Sequence, residues 1–249
     1  MNFIGVDLTP ITLTAYEPTA FCVLKKDGKG LPVLAECLTV PEPNSKAQRL
    51  LAEVYAEPPG EGRMAMMSRL VSQVDQELVE LIVEFMPGIV GINAALSLPS
   101  GRAGYEARLT DHILDQDPLL KEVRTRLRAP SQEPARTFRG LAIRDLLDRE
   151  GLVYGEDVIE VCPRATLAYL SLPTTVAEGP MAFQDLPERL LKLLTIPKSS
   201  RLPQSWGEYA ALLAAFTCYL RYIGVTEEVG DRGEGTITLP RRADHAGSH

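Results

Sequence analysis

Asn2-Phe3-Ile4-Gly5-Val6-Asp7-Leu8 reads as a short buried strand: apolar residues run almost without a break, and one aspartate ends the run. Strands covered on both faces lose the polar alternation of half-exposed ones. Downstream, residues 20–26 and 31–40 are also strand-like. Asp27-Gly28-Lys29-Gly30 between them is a hairpin signal, because glycine supplies the positive φ that such turns require. The chain therefore opens on a three-stranded antiparallel unit.

Beyond that unit, residues 46–56 fit a short helix ended by Pro58, Pro59 and Gly60. Residues 64–86 carry Met67, Leu70, Val71, Val74, Leu78, Leu81, Ile82 and Phe85 at the offsets of one helical face. Pro87-Gly88 closes that helix and residues 89–96 form the next strand, which suggests a parallel return into the same sheet. Residues 99–137 look irregular, with one helix near 103–115. A helix over about 138–150 follows, capped by Gly151, and residues 157–162 form a fifth strand ended by Pro163. Residues 185–195 read as helix and 196–204 as a loop with two prolines. The helix at 205–223 sets Trp206, Tyr209, Leu213, Phe216, Leu220 and Ile223 on one stripe; Thr236–Leu239 is a short strand, and 241–249 a disordered tail. This is the element order of a ribonuclease-H-like α/β domain: a mixed five-stranded sheet, three strands antiparallel and then two parallel, flanked by helices. The sequence predicts one such domain over 1–240, with an inserted basic loop region near 100–137.

Composition narrows the function classes. The chain has 249 residues, 45% hydrophobic and 24% charged, enough for a sizeable core. Its longest apolar runs, Leu78–Met86 and Ile89–Leu98, are broken by Glu80, Glu84, Asn93 or Ser97 well short of the roughly 18 residues of a spanning helix. The N-terminus lacks the pattern of a secretory signal, so a cytoplasmic location is expected. Cys22, Cys37, Cys162 and Cys218 show no zinc or redox spacing and read as small buried hydrophobes. No helical pair exists among His112, His245 and His249, which speaks against a zinc enzyme. The net charge of −7 argues against broad electrostatic binding to nucleic acid without excluding a local basic patch.

In a sheet of this kind, carboxylates from adjacent strand ends and one helix converge on two divalent ions, which activate water and stabilise the leaving oxygen in phosphodiester cleavage. Magnesium requires hard oxygen ligands, so aspartate and glutamate are the residue types to look for. Asp7 ends an apolar strand, where an acid is costly without a partner or an ion; capping a turn at the surface is an equal alternative. Glu160 lies inside Val158-Ile159-Glu160-Val161, a buried strand, although alternation could still turn it to an exposed face.

Four stretches occur in order: Gly5-Val6-Asp7-Leu8; Gly91-Ile92-Asn93-Ala94-Ala95-Leu96-Ser97-Leu98-Pro99; Ile159-Glu160-Val161-Cys162-Pro163-Arg164-Ala165; and Glu234-Gly235-Thr236-Ile237-Thr238-Leu239-Pro240. Together with the helix Tyr209-Ala210-Ala211-Leu212-Leu213-Ala214-Ala215, they resemble domain-of-unknown-function family 429, a family of predicted ribonuclease-H-like nucleases. The resemblance covers nearly the whole chain. It implies a metal-dependent nuclease with Asp7 and Glu160 as catalytic acids, and Asp7, Asn93 and Glu160 as ligands to Mg2+ or Mn2+. It also exposes a deficit. The positions matching Asn93 and Ala210 are usually aspartate in that family. Asn93 brings no negative charge and Ala210 no ligand, and Glu208 lies about 200° round the helix from it and cannot take over.

Lys121, Arg124, Arg126, Arg128, Arg136 and Arg139 crowd the stretch 121–139, opposed only by Glu122 and Glu133. They form a candidate phosphate-binding loop or a solvated face. Arg102 and Arg164 follow the second and third motifs and could touch phosphate in the same cleft. Tyr105 and Glu106 have no assignable role. Two functions remain open from sequence: a nuclease, and a catalytically inactive ribonuclease-H-like binding or scaffold module, with nucleic acid or a protein as partner. A third, an actin-like or sugar-kinase-like ATPase, is disfavoured. Gly5-Val6-Asp7-Leu8-Thr9 resembles a first phosphate loop, but no second copy follows.

Overall fold

Alternation along the first strand divides the molecule into its two cores. The computed structural model describes residues 1–10, 17–99, 107–120, 132–172, 190 and 193–242. In it β1 (Asn2–Asp7) sends Ile4 and Val6 into one apolar cluster and Phe3 into another on the opposite face. β2 (Thr19–Lys26) and β3 (Pro32–Val40) continue outward from it antiparallel, as the hairpin signal predicts. β4 (Pro87–Ile92) pairs parallel to β1, and β5 (Val158–Val161) parallel to β4. That is the ribonuclease-H-like arrangement expected from the order of elements.

The sheet is wider than expected. It has seven strands, in the order β3-β2-β1-β4-β5-β7-β6. β7 (Gly235–Pro240) joins parallel to β5, and β6 (Thr226–Asp231) closes the edge antiparallel to β7. β6 reads Thr-Glu-Glu-Val-Gly-Asp and carries no alternating apolar signal. An edge strand paired on one side only needs none, and its charges guard the edge.

Helices α1 (Lys46–Ala56) and α2 (Glu61–Glu84) lie where the periodicity puts them, and Ser45 caps α1 by accepting from the Gln48 amide. α3 (Leu109–Gln116) falls within the expected 103–115 region, while α4 (Pro134–Arg149) starts four residues before the expected position. α5 (Pro163–Tyr169) was not anticipated, because Pro163 reads as a strand terminator; it occupies the first turn of the helix, where its missing N–H costs nothing. Most of the expected 185–195 helix and residues 243–249 of the expected tail lie outside the described residues. Among the described residues no helix is long and apolar enough to cross a membrane.

α6 (Trp206–Tyr222) departs most from its sequence pattern. Instead of one buried stripe, every residue from Glu208 to Leu220 is buried. One side packs on the sheet, and Leu172, Leu190 and Leu194 belong to the cluster that encloses it. Helices that are apolar all round belong in such interiors. The approach to the sheet is close enough to require glycine. A Cβ on Gly5 would run into the Ala211 carbonyl and the Ala215 amide, and one on Gly91 would lie 2.7 Å from Cys218 Sγ. Gly5→Ala should therefore destabilise the chain by about 3 kcal/mol or prevent folding, since overpacking against backbone has little room to relax; urea unfolding of purified protein measures it.

Candidate active-site cleft

Asp7, Asn93 and Glu160 all sit at the C-terminal edges of the central strands, where the sequence motifs place them. Alternation separates Glu160 from the other two, however. Ile159 and Val161 face the α6 cluster and Val158 the opposite one, so Glu160 points away from α6. Asp7 shares the parity of Phe3 and Gly5, and a Cβ on Gly207 of α6 would lie 3.4 Å from its Oδ2. The two acids have no hydrogen-bond partner in common among the described residues.

Each acid instead has its own arginine. Arg108, immediately before α3, is 2% exposed. It grips Glu160 with two parallel bonds, Nη1 to Oε2 at 2.7 Å and Nη2 to Oε1 at 2.6 Å, while the Leu96 amide donates to Oε2 at 2.9 Å. Its other donors reach Asp111 and the Ser97 hydroxyl. Burial opposes the Arg108 charge, but Glu160 and Asp111 more than offset this and hold its pKa above the ordinary value. Burial pushes the Glu160 carboxyl above the usual range, with Arg108 pulling it back. At Asp7, Oδ1 accepts from Arg136 Nη2 at 2.8 Å and from the Asn93 amide. Burial raises this carboxyl too, against the pull of Arg136 and Asn93.

The basic stretch proves partly structural. Arg139 is buried and spoken for by Asp75, the Thr9 carbonyl and the Thr19 hydroxyl. Arg136 bridges Asp7 and Glu133. Arg102, Lys121, Arg124, Arg126 and Arg128 lie outside the described residues, as do Tyr105 and Glu106. Arg164 stacks over Trp206 at 4.2 Å and lines a cavity with Asp7. Ala210 is fully buried and Glu208 is diverted: its carboxylate accepts from Arg201 and from the Gln204 amide. Among the described residues no group of three or more His, Cys, Asp or Glu side chains is placed to hold a metal ion.

Arg136 stands between two cavities, of about 320 Å3 on the α3 side and about 200 Å3 on the Arg164 side. Asn93 and Cys162 line both. Burial pushes the Cys162 thiol up to about 11. Arg108 escapes sequence reasoning because its only local signal is Asp111, three residues on. Gly207 could have been found as the position one turn before Ala210 on the same face.

No family model matches the chain, and no curated protein matches it. Solved structures similar to it include Thermus thermophilus RuvC, at 13% identity and a TM-score of 0.45, covering 90% of this chain and 97% of that one. T. thermophilus RuvC in complex with a Holliday junction substrate is similar at 13% identity and a TM-score of 0.44, with the same coverage.

Removing one member of the deeper pair should expose its cost. Glu160→Ala leaves Arg108 buried and unpaired and should lose about 3–5 kcal/mol of stability. The double variant Arg108→Met/Glu160→Leu should recover most of that loss. Arg136→Ala, in a pair whose arginine is 20% exposed, should cost less than Glu160→Ala. Chemical denaturation of the four proteins gives the comparison.

Proposed function

We propose that this chain is a diverged relative of the family-429 ribonuclease-H-like proteins that has lost metal-dependent phosphodiester hydrolysis and works as a binding module. The observation that carries this reading is the buried, bidentate Arg108–Glu160 pair. A divalent ion needs carboxylate oxygens with free lone pairs. Both oxygens of Glu160 are engaged by N–H donors, and Asp7 Oδ1 accepts two more. Each guanidinium also sets a positive charge where a bound cation would have to approach, and at such range the repulsion amounts to several kcal/mol. Asn93 turns its amide N–H toward Asp7, so it acts as a donor where the family pattern has an acid. On this reading the donor set of Asp7, Asn93 and Glu160 does not fit an Mg2+ or Mn2+ pair.

The cleft persists as the two cavities beside Arg136, and the larger is at the lower end of the range for small-ligand sites. A protein partner is favoured over nucleic acid. The net charge is −7, and among the described residues Arg108, Arg136 and Arg139 each pair with a carboxylate.

The test is Mg2+- and Mn2+-dependent cleavage of single- and double-stranded DNA and RNA, with identically purified Asp7→Ala as the control. The expected outcome is no cleavage that depends on Asp7, and no change in Trp206 fluorescence on adding Mn2+. Cleavage that disappears in Asp7→Ala would restore the nuclease reading, with Asp7 and Glu160 as catalytic acids.

A further inference from the structure

Away from the cleft, two cysteines that look unrelated in sequence meet face to face. Cys22 of β2 and Cys37 of β3 are direct partners in the antiparallel ladder. Their sulfur atoms lie 2.9 Å apart, so roughly 1 Å of further approach would reach the ~2.05 Å of an S–S bond. Both are free thiols in this structure, 0% and 4% exposed, beneath the N-terminal half of α6. The other two cysteines are solitary: Cys218 donates to the Ile4 carbonyl, and Cys162 lies at the cleft.

We propose that Cys22 and Cys37 are a modification site that forms a reversible cross-strand disulfide when a hydroperoxide oxidises it. Cys37, the less enclosed of the two, reacts first. Its sulfur attacks the peroxide; an S–O bond forms, the O–O bond breaks, and water or an alcohol leaves with the Cys37 proton. Burial and the neighbouring Cys37 push the Cys22 thiol up, so it hands its proton to the sulfenic oxygen as its sulfur attacks the Cys37 sulfur; the S–S bond forms, the S–O bond breaks, and water leaves. Two thiols lose two electrons and the hydroperoxide gains them. The bond staples the edge strand β3 to β2 and removes the weak Cys22 S–H contact to the Glu208 carbonyl at the start of α6. The bond closes the hairpin between Cys22 and Cys37, so the cross-link should restrict the unfolded chain and raise the melting temperature, by less than a longer loop would.

The experiment treats the full chain with hydrogen peroxide, quenches it in denaturant with an alkylating reagent, and reads intact mass and a peptide map. The expected result is a fall from four free thiols to two, loss of two hydrogen atoms, a Cys22–Cys37 cross-linked peptide, a higher melting temperature, and full reversal by dithiothreitol. In Cys22→Ala, a sulfenic acid at Cys37 should accumulate and be trapped by dimedone. If that variant does not fold, the wild-type map still decides. Four persisting thiols, a bond involving Cys162 instead, or oxygen addition at Cys37 without cross-linking would each overturn the proposal.

Discussion

The contact on which the rest depends is backbone against backbone, where α6 lies on β1 and β4. Gly5 and Gly91 present no side chain, and Ala211, Ala214 and Ala215 meet them with almost none. A helix seated this low leaves no room for a layer of large side chains between it and the sheet, so it must be surrounded elsewhere. Apolar residues on its far side supply that cover. Seating α6 at this depth also fixes the start of the helix over the end of β1, with Gly207 against Asp7. The geometry of the cleft is thus set by packing that has no chemistry of its own.

Within that frame the carboxylates are governed by desolvation. Asp7, Asp75 and Glu160 are all buried, and each is met by an arginine from the α3–α4 side of the molecule. Buried ion pairs of this kind contribute little net stability, because desolvation offsets the attraction; what they enforce is pairing, since either partner alone is costly. Arg136 and Arg139, three residues apart on one helix, attach α4 to the end of β1 and to α2. The three carboxylates are thus each directed at an arginine of the protein itself.

How much of this was legible in the sequence follows from the range of each signal. The opening hairpin, α1 and α2 were readable, because turn glycines and apolar periodicity act over a few residues. β6 was not, because an edge strand has only one neighbour and its pairing depends on β7 rather than on its own composition. The full burial of α6 was invisible to a helical wheel that finds one stripe. Asp7, Asn93 and Glu160 were identified as residues and located at the strand ends. The separation of Glu160 from the other two follows from counting alternation through Gly5 and Ile159, which needed the sheet register to be useful. Arg108 could not be found at all: the Glu160 it grips is 52 residues away. The ladder opposing Cys22 to Cys37 was equally hidden, because one shifted pairing between Val23 and Leu24 sits beside it.

On the reading proposed above, the departures from an acidic site are consistent with one another. An aspartate at position 93 would set a second negative charge beside Asp7, where Arg136 is bonded to the first and Arg164 lines the same cavity. An acid at 210 would enter a fully enclosed helix face. Glu208, the acid that α6 does retain near its start, is held outward by Arg201 and the Gln204 amide. On the same reading, neutral residues at 93 and 210 suit a cleft in which Arg108 and Arg136 supply the positive charge. Given neutral residues at 93 and 210, the two remaining acids require cations that the protein itself supplies. On that reading, restoring an aspartate at 93 alone would set a second carboxylate beside Asp7.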